Sequence, residues 1–126
     1  MRVLLDTAVL IYAVSTPERL TKRATNVLRS SDSILELSSI SLVEIAVKAS
    51  LGKLSLSSGT VRQAIEDLNV RVLSYTVEHA FHMFDLPPHH SDPFDRQIIS
   101  QAFAEGLPIV TPDEKFGLYK GLKVVW

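Results

Sequence analysis

The sequence contains no cysteine. That excludes disulfides, thiolate metal sites and cysteine nucleophiles, and it fits a reducing compartment. Its five glycines form neither a Gly-x-Gly-x-x-Gly fingerprint nor a Walker loop, so no nucleotide-phosphate cradle is encoded. No Gly-x-Ser-x-Gly elbow marks a serine hydrolase. No apolar stretch approaches the roughly 20 residues needed to span a bilayer. The apolar N-terminal residues 1–14 are interrupted by Asp6, and no small-residue cleavage site follows. A cytoplasmic protein away from membranes is the expectation. Neither sign of charge dominates: 13 basic and 14 acidic residues give a net −1. That balance alone argues against a nucleic-acid partner. If four carboxylates were neutralised by metal, however, 13 basic residues would face only 10 acidic ones, a rim able to attract phosphate.

The 126 residues, 46% of them apolar, fit one domain, 1–126, with one core. Short apolar runs alternate with helical patterns. Residues 3–5 read as a strand, followed by the polar pair Asp6-Thr7 and an apolar helix over 8–14. Thr16-Pro17-Glu18 reads as the start of a second helix. Residues 33–38 read as a strand. Ser41 reads as the cap of the next helix, with Glu44 completing a capping box and Gly52 as the stop. Ser57-Ser58-Gly59 reads as a turn before another helix, and residues 70–73 as a short strand. Thr76 opens a helix that carries Phe81 and Phe84. Asp92-Pro93 opens one with Ile98, Ile99, Ala102 and Phe103 as its core face, closed by Gly106. Residues 107–110 and 124–126 are further apolar runs. This alternation predicts an α/β domain with a mostly parallel sheet.

In open α/β sheets ligands bind beyond the carboxyl ends of the strands. Asp6 and Asp113 follow two apolar strands, Glu44 lies early in the helix after another, and Asp95 lies in the first turn opened by Asp92-Pro93. Carboxylates without cysteine suit hard divalent cations such as Mg²⁺ or Mn²⁺. Such an ion polarises phosphoryl oxygens and activates water. Each acid also has a purely structural reading. Asp6, Asp92 and Asp113 can cap helices, Glu44 can pair with Ser41 or Lys48, and Asp95 can favour the helix dipole.

The ordered set of motifs resembles the PIN-domain ribonucleases, and within them the VapC-type toxins of bacterial toxin–antitoxin pairs. The resemblance is carried by Leu4-Leu5-Asp6-Thr7, by Ser41-Leu42-Val43-Glu44-Ile45 with Lys48 and Gly52-Lys53-Leu54, by His90-Ser91-Asp92-Pro93-Phe94-Asp95-Arg96, and by Val110-Thr111-Pro112-Asp113. It spans nearly the whole chain, and the His-x-Asp-Pro-Phe-Asp-Arg stretch is its most specific part. It implies a three-layer α/β/α sandwich. It also implies Asp6, Glu44, Asp95 and Asp113 as Mg²⁺ or Mn²⁺ ligands for RNA phosphodiester cleavage. Thr7, Asp92, Arg96 and Thr111 would support the site, and Lys48 and Arg96 would meet the substrate. The partners it implies are RNA, a cognate antitoxin and a second copy of the chain, with DNA contacted only through the antitoxin.

The alternative reading is a catalytically silent binding module on the same fold. A phosphoacceptor receiver needs a second acid beside the first, where Thr7 stands. A phosphatase of the Asp-x-Asp type needs one at position 8, which is Ala8. His79, His82, His89 and His90 lack a Glu-x-x-His pattern and read as ordinary exposed or capping residues rather than Zn²⁺ ligands. Phe81, Phe84, Phe94 and Phe103 read as core rather than as base-stacking platforms.

Overall fold

The N-terminal apolar run has no helical period, and it becomes the centre of a sheet. A computed structural model describes all 126 residues, 1–126. Its strands are β1 (Arg2–Leu5), β2 (Ile34–Ser38), β3 (Arg71–Leu73), β4 (Ile109–Val110) and β5 (Val124–Val125). They lie in the order β3-β2-β1-β4-β5, and every neighbouring pair is parallel. Val3, Leu4 and Leu5 of the central strand are fully buried, as expected where both faces are covered. Alternation sends Val3 and Leu5 into one core and Leu4 into the other. Each such side chain contributes about 2 kcal/mol by leaving water.

Helices cover both faces. Helices α1 (Thr7–Ser15), α2 (Lys22–Arg29), α3 (Ser39–Ser50) and α4 (Ser58–Asp67) bring Val9, Leu10, Ala24, Ile45, Val61 and Ala64 to the first core. On the other face, α6 (Pro93–Glu105) brings Ile98, Ile99 and Ala102, and α5 (Val77–His82) packs against it. The result is the three-layer α/β/α sandwich expected, with a sheet that is entirely rather than mostly parallel. Strands β2 and β3 lie on one side of β1, and β4 and β5 on the other. The crevice beyond the carboxyl ends of β1 and β4 is therefore a topological switch point, where open α/β sheets bind ligands.

Several local expectations change. The helix expected from Thr16 is split: residues 17–19 form one 3₁₀ turn, and α2 starts afresh with Thr21, whose hydroxyl accepts from the Ala24 N–H at 3.1 Å. Ser41 caps nothing. Ser38, at the end of β2, caps α3 by accepting from the Ile40 N–H, so Ser41 and Glu44 lie inside the helix and the capping box is absent. The Ser57-Ser58-Gly59 turn is the beginning of α4, capped by Ser57. Phe81 and Phe84 are not core: they are 60% and 84% exposed and stack on each other with centroids 5.9 Å apart. Gly106 does close α6, in the left-handed conformation (φ 65°) that glycine adopts without penalty. Glu36 goes the opposite way from the phenylalanines. It is buried in β2 and paired with Arg2 through two hydrogen bonds.

Candidate functional site

Asp6 stands where β1 ends and α1 begins. It occupies the cap position of α1, yet its side chain makes no capping bond. Instead its Oδ2 accepts the Thr111 hydroxyl proton at 2.7 Å. Thr111, just past β4, also accepts the Asp113 N–H at 3.1 Å, so one hydroxyl links the acids following the two central strands. Glu44, in the second turn of α3, is 5% exposed. Its Oε2 receives the Lys48 ammonium at 2.5 Å, and its Oε1 is buried without any partner. Asp95 lies in the first turn of α6, behind Asp92, whose Oδ1 accepts from the Phe94 N–H at 2.8 Å and the Asp95 N–H at 3.4 Å.

These residues meet in one open cleft of about 380 Å³. Asp6, Glu44, Lys48, Asp92, Asp95 and Asp113 line it together with Tyr12 and Pro112. All four acids expected to form the site are brought together. Their crowding shows in their acidity. Burial first, then the charges of Glu44 and Asp113, raise Asp6 to about 6 against the Thr111 hydrogen bond. Burial, then Asp6, Asp92, Glu44 and Asp113, raise Asp95 to about 7. Carboxylates in this state are pushed toward holding protons, and a divalent cation would favour their ionised forms. A larger cavity of about 830 Å³ opens along α3 and α4, but its lining is mostly apolar and includes none of the four acids.

A family profile described as PIN domain matches residues 3–122. The chain belongs to the PIN-domain family. PIN domains are generally nucleases. Three solved complexes contain chains of the same fold. One is VapBC2 from Rickettsia felis bound to a promoter DNA fragment, with TM-score 0.75, 19% identity and coverage of 98% of this chain and 97% of that one. The second is DNA-bound VapBC from Salmonella typhimurium, with TM-score 0.68, 23% identity and coverage of 98% and 96%. The third is a toxin–antitoxin complex from Klebsiella pneumoniae, with TM-score 0.65, 19% identity and coverage of 95% and 94%. No curated protein matches the sequence.

The remaining expected residues of this PIN domain are placed differently from one another. Thr7 does not line the cleft. Its hydroxyl donates to Ser41 at 2.8 Å, pinning the start of α1 to α3 one turn before Glu44. Arg96 touches no carboxylate, in the site or on the surface. Its guanidinium donates to the carbonyls of Pro87 at 3.0 Å and Leu86 at 3.4 Å, clamping the loop before α6. His90, expected from the sequence as an ordinary exposed or capping histidine, is neither: its ring is buried between two side-chain partners. It is 7% exposed, with Nε2 2.9 Å from Asp113 Oδ2 and Nδ1 2.8 Å from the Tyr119 hydroxyl. His90, Asp95 and Asp113 offer ligand atoms all within 4.8 Å of one another. Its place in the His-x-Asp-Pro-Phe-Asp-Arg motif was the available signal.

Proposed function

We propose that this PIN domain is a Mg²⁺- or Mn²⁺-dependent endoribonuclease, the toxin of a toxin–antitoxin pair. The observation that carries the reading is the convergence of Asp6, Glu44, Asp95 and Asp113 on one cleft at the sheet's switch point, with Glu44 Oε1 buried and unpartnered. A buried carboxylate oxygen without a partner is costly unless something outside the chain satisfies it. The four carboxylates offer only hard oxygen donors, which suits Mg²⁺ and Mn²⁺. The four carboxylates would hold the ion. The chemistry it supplies when bound is polarisation of a phosphoryl oxygen and a lowered pKa for water.

The chain's own contributions follow from the contacts. Thr111 fixes Asp6 by a hydrogen bond and holds Asp113 through its backbone. Asp92 sets the first turn of α6 and with it the position of Asp95. The Lys48 ammonium lies on Glu44 at the cleft wall, a positive charge within reach of a phosphate entering that cleft. Arg96 serves the substrate only indirectly, by fixing the loop that carries His90.

An antitoxin chain and a second copy of this chain are the partners that go with this reading. Support for the antitoxin comes from the solved complexes of the same fold. DNA would be met through that antitoxin. The test is cleavage of a broad RNA panel by the purified chain with Mg²⁺, with Mn²⁺ and with EDTA. Cleavage that needs the metal and disappears in Asp95→Asn, with the fold retained by circular dichroism, is the expected result. Metal binding without cleavage of any RNA would favour a silent binding module instead.

A further inference from the structure

Asp113 is the acid least supported by the sheet. It lies three residues beyond β4, a strand of only two residues, and its side chain is 35% exposed. Its Oδ1 accepts from the Lys115 N–H at 2.9 Å, capping the 3₁₀ segment 114–118. The direction of its Oδ2 is therefore set by whatever holds it from the other side, and that group is His90.

We propose that Tyr119 and His90 form a relay that orients Asp113 Oδ2 toward the cleft, with His90 acting as a positioning residue and not as a metal ligand. The inference rests on the metal-dependent reading above. Its support is directional. The Tyr119 ring is buried, and its phenol carries a proton that it can donate. In the relay His90 Nδ1, 2.8 Å away, accepts that proton. In the neutral imidazole Nε2 must then carry the hydrogen, and it donates to Asp113 Oδ2 at 2.9 Å. The opposite tautomer would set the bare lone pair of Nε2 against a carboxylate oxygen at the same distance, which is repulsive. Such carboxylate–histidine pairs are ways of fixing a ligand's orientation from behind.

The imidazole has little freedom to do anything else. The Phe116 ring stands nearly perpendicular to it with centroids 5.0 Å apart, and the Tyr119 ring is inclined to it by 15°. The backbone that carries it is stiffened by Pro87-Pro88 and tied by Arg96 to the Leu86 and Pro87 carbonyls. Arg96 also places its positive charge near the Tyr119 hydroxyl. The motif His90-Ser91-Asp92-Pro93-Phe94-Asp95-Arg96 thus supplies one acid and the devices that aim two. Asp92 sets Asp95, while His90 and Arg96 set Asp113.

The test is Mn²⁺ affinity by titration calorimetry on the folded full chain, with pulsed electron paramagnetic resonance on the bound Mn²⁺. His90→Phe keeps the packing but removes the donor, and it should weaken Mn²⁺ binding about 10- to 100-fold. His90→Gln, which restores an N–H donor, should recover most of that loss. Tyr119→Phe, which removes one hydroxyl and leaves the ring, should weaken binding by a smaller factor, about 3- to 10-fold. The bound Mn²⁺ should show no imidazole nitrogen coupling. A nitrogen coupling that vanishes in His90→Gln would make His90 a ligand and overturn the relay. So would a His90→Phe or Tyr119→Phe protein that binds Mn²⁺ like the parent. If the parent itself bound no Mn²⁺, the metal-dependent reading would fall and take the relay with it, a result distinct from the others.

Discussion

Replacing Asp6 by Asn should make the metal-free protein more stable at neutral pH while abolishing its function. Asp6 is 5% exposed, and its carboxyl is raised from 3.8 to about 6, by burial first and by Glu44 and Asp113 after that. An acid that titrates later in the folded state than in the unfolded chain leaves the folded state holding more protons between the two values. Stability therefore falls as pH rises from about 4 to about 6 and stays low above that. The gap corresponds to about 3 kcal/mol at pH 8, about half of that at pH 5, and less than about 1 kcal/mol at pH 4. Asn cannot ionise, yet its side-chain oxygen still accepts from Thr111, so Asp6→Asn should recover this difference. Urea melts in EDTA at the three pH values measure it directly. At pH 8 the gain is worth about 10 °C in Tm for a chain of this size. A variant no more stable than the parent at pH 8, or one whose advantage is undiminished at pH 4, would refute the electrostatic reasoning.

Four other outcomes follow from the same contacts. Divalent metal binding must displace protons from Asp6 and Asp95, so Mg²⁺ affinity should fall as pH drops below about 7, with proton release measurable by calorimetry in buffers of different ionisation enthalpy. Asp92→Ala loses the cap that accepts from two N–H groups and should cost about 1 kcal/mol in denaturant melts, together with weaker metal binding as Asp95 loosens. Arg2→Ala leaves the buried Glu36 carboxylate without its bidentate partner and should cost about 2–3 kcal/mol at neutral pH, with activity per folded molecule unchanged. Phe84→Ala should change stability by no more than about 0.5 kcal/mol, because the ring is 84% exposed, whereas a core phenylalanine would cost about 3–5 kcal/mol.

What the sequence makes legible here is what local chemistry decides. Asp92-Pro93 and Gly106 bound α6 because a cap, a fixed φ and a left-handed residue act within one turn. The order of strands and helices is legible because short apolar runs and helical periods alternate along the chain. Ser41 shows where local signals mislead. Three serines, 38, 39 and 41, offer competing caps, and the one ending the strand wins because the helix begins directly after it. Phe81 and Phe84 show a second limit. Periodicity places them on one helical face but does not reveal whether α6 or solvent meets that face. His90 shows the third, since its partners Tyr119 and Asp113 lie 29 and 23 residues further along. The four acids were legible as an ordered pattern, whereas the orphaned Glu44 oxygen that points to an external ligand appears only in three dimensions.

Whether the four carboxylates share one divalent ion is decided by an anomalous difference map from crystals of the chain grown with Mn²⁺. A strong peak in the cleft, bordered by side-chain oxygens of Asp6, Glu44, Asp95 and Asp113, with Lys48 displaced from Glu44, is the expected result. A map with Mn²⁺ bound elsewhere, and with Lys48 still seated on Glu44 in an ion-free cleft, would contradict it.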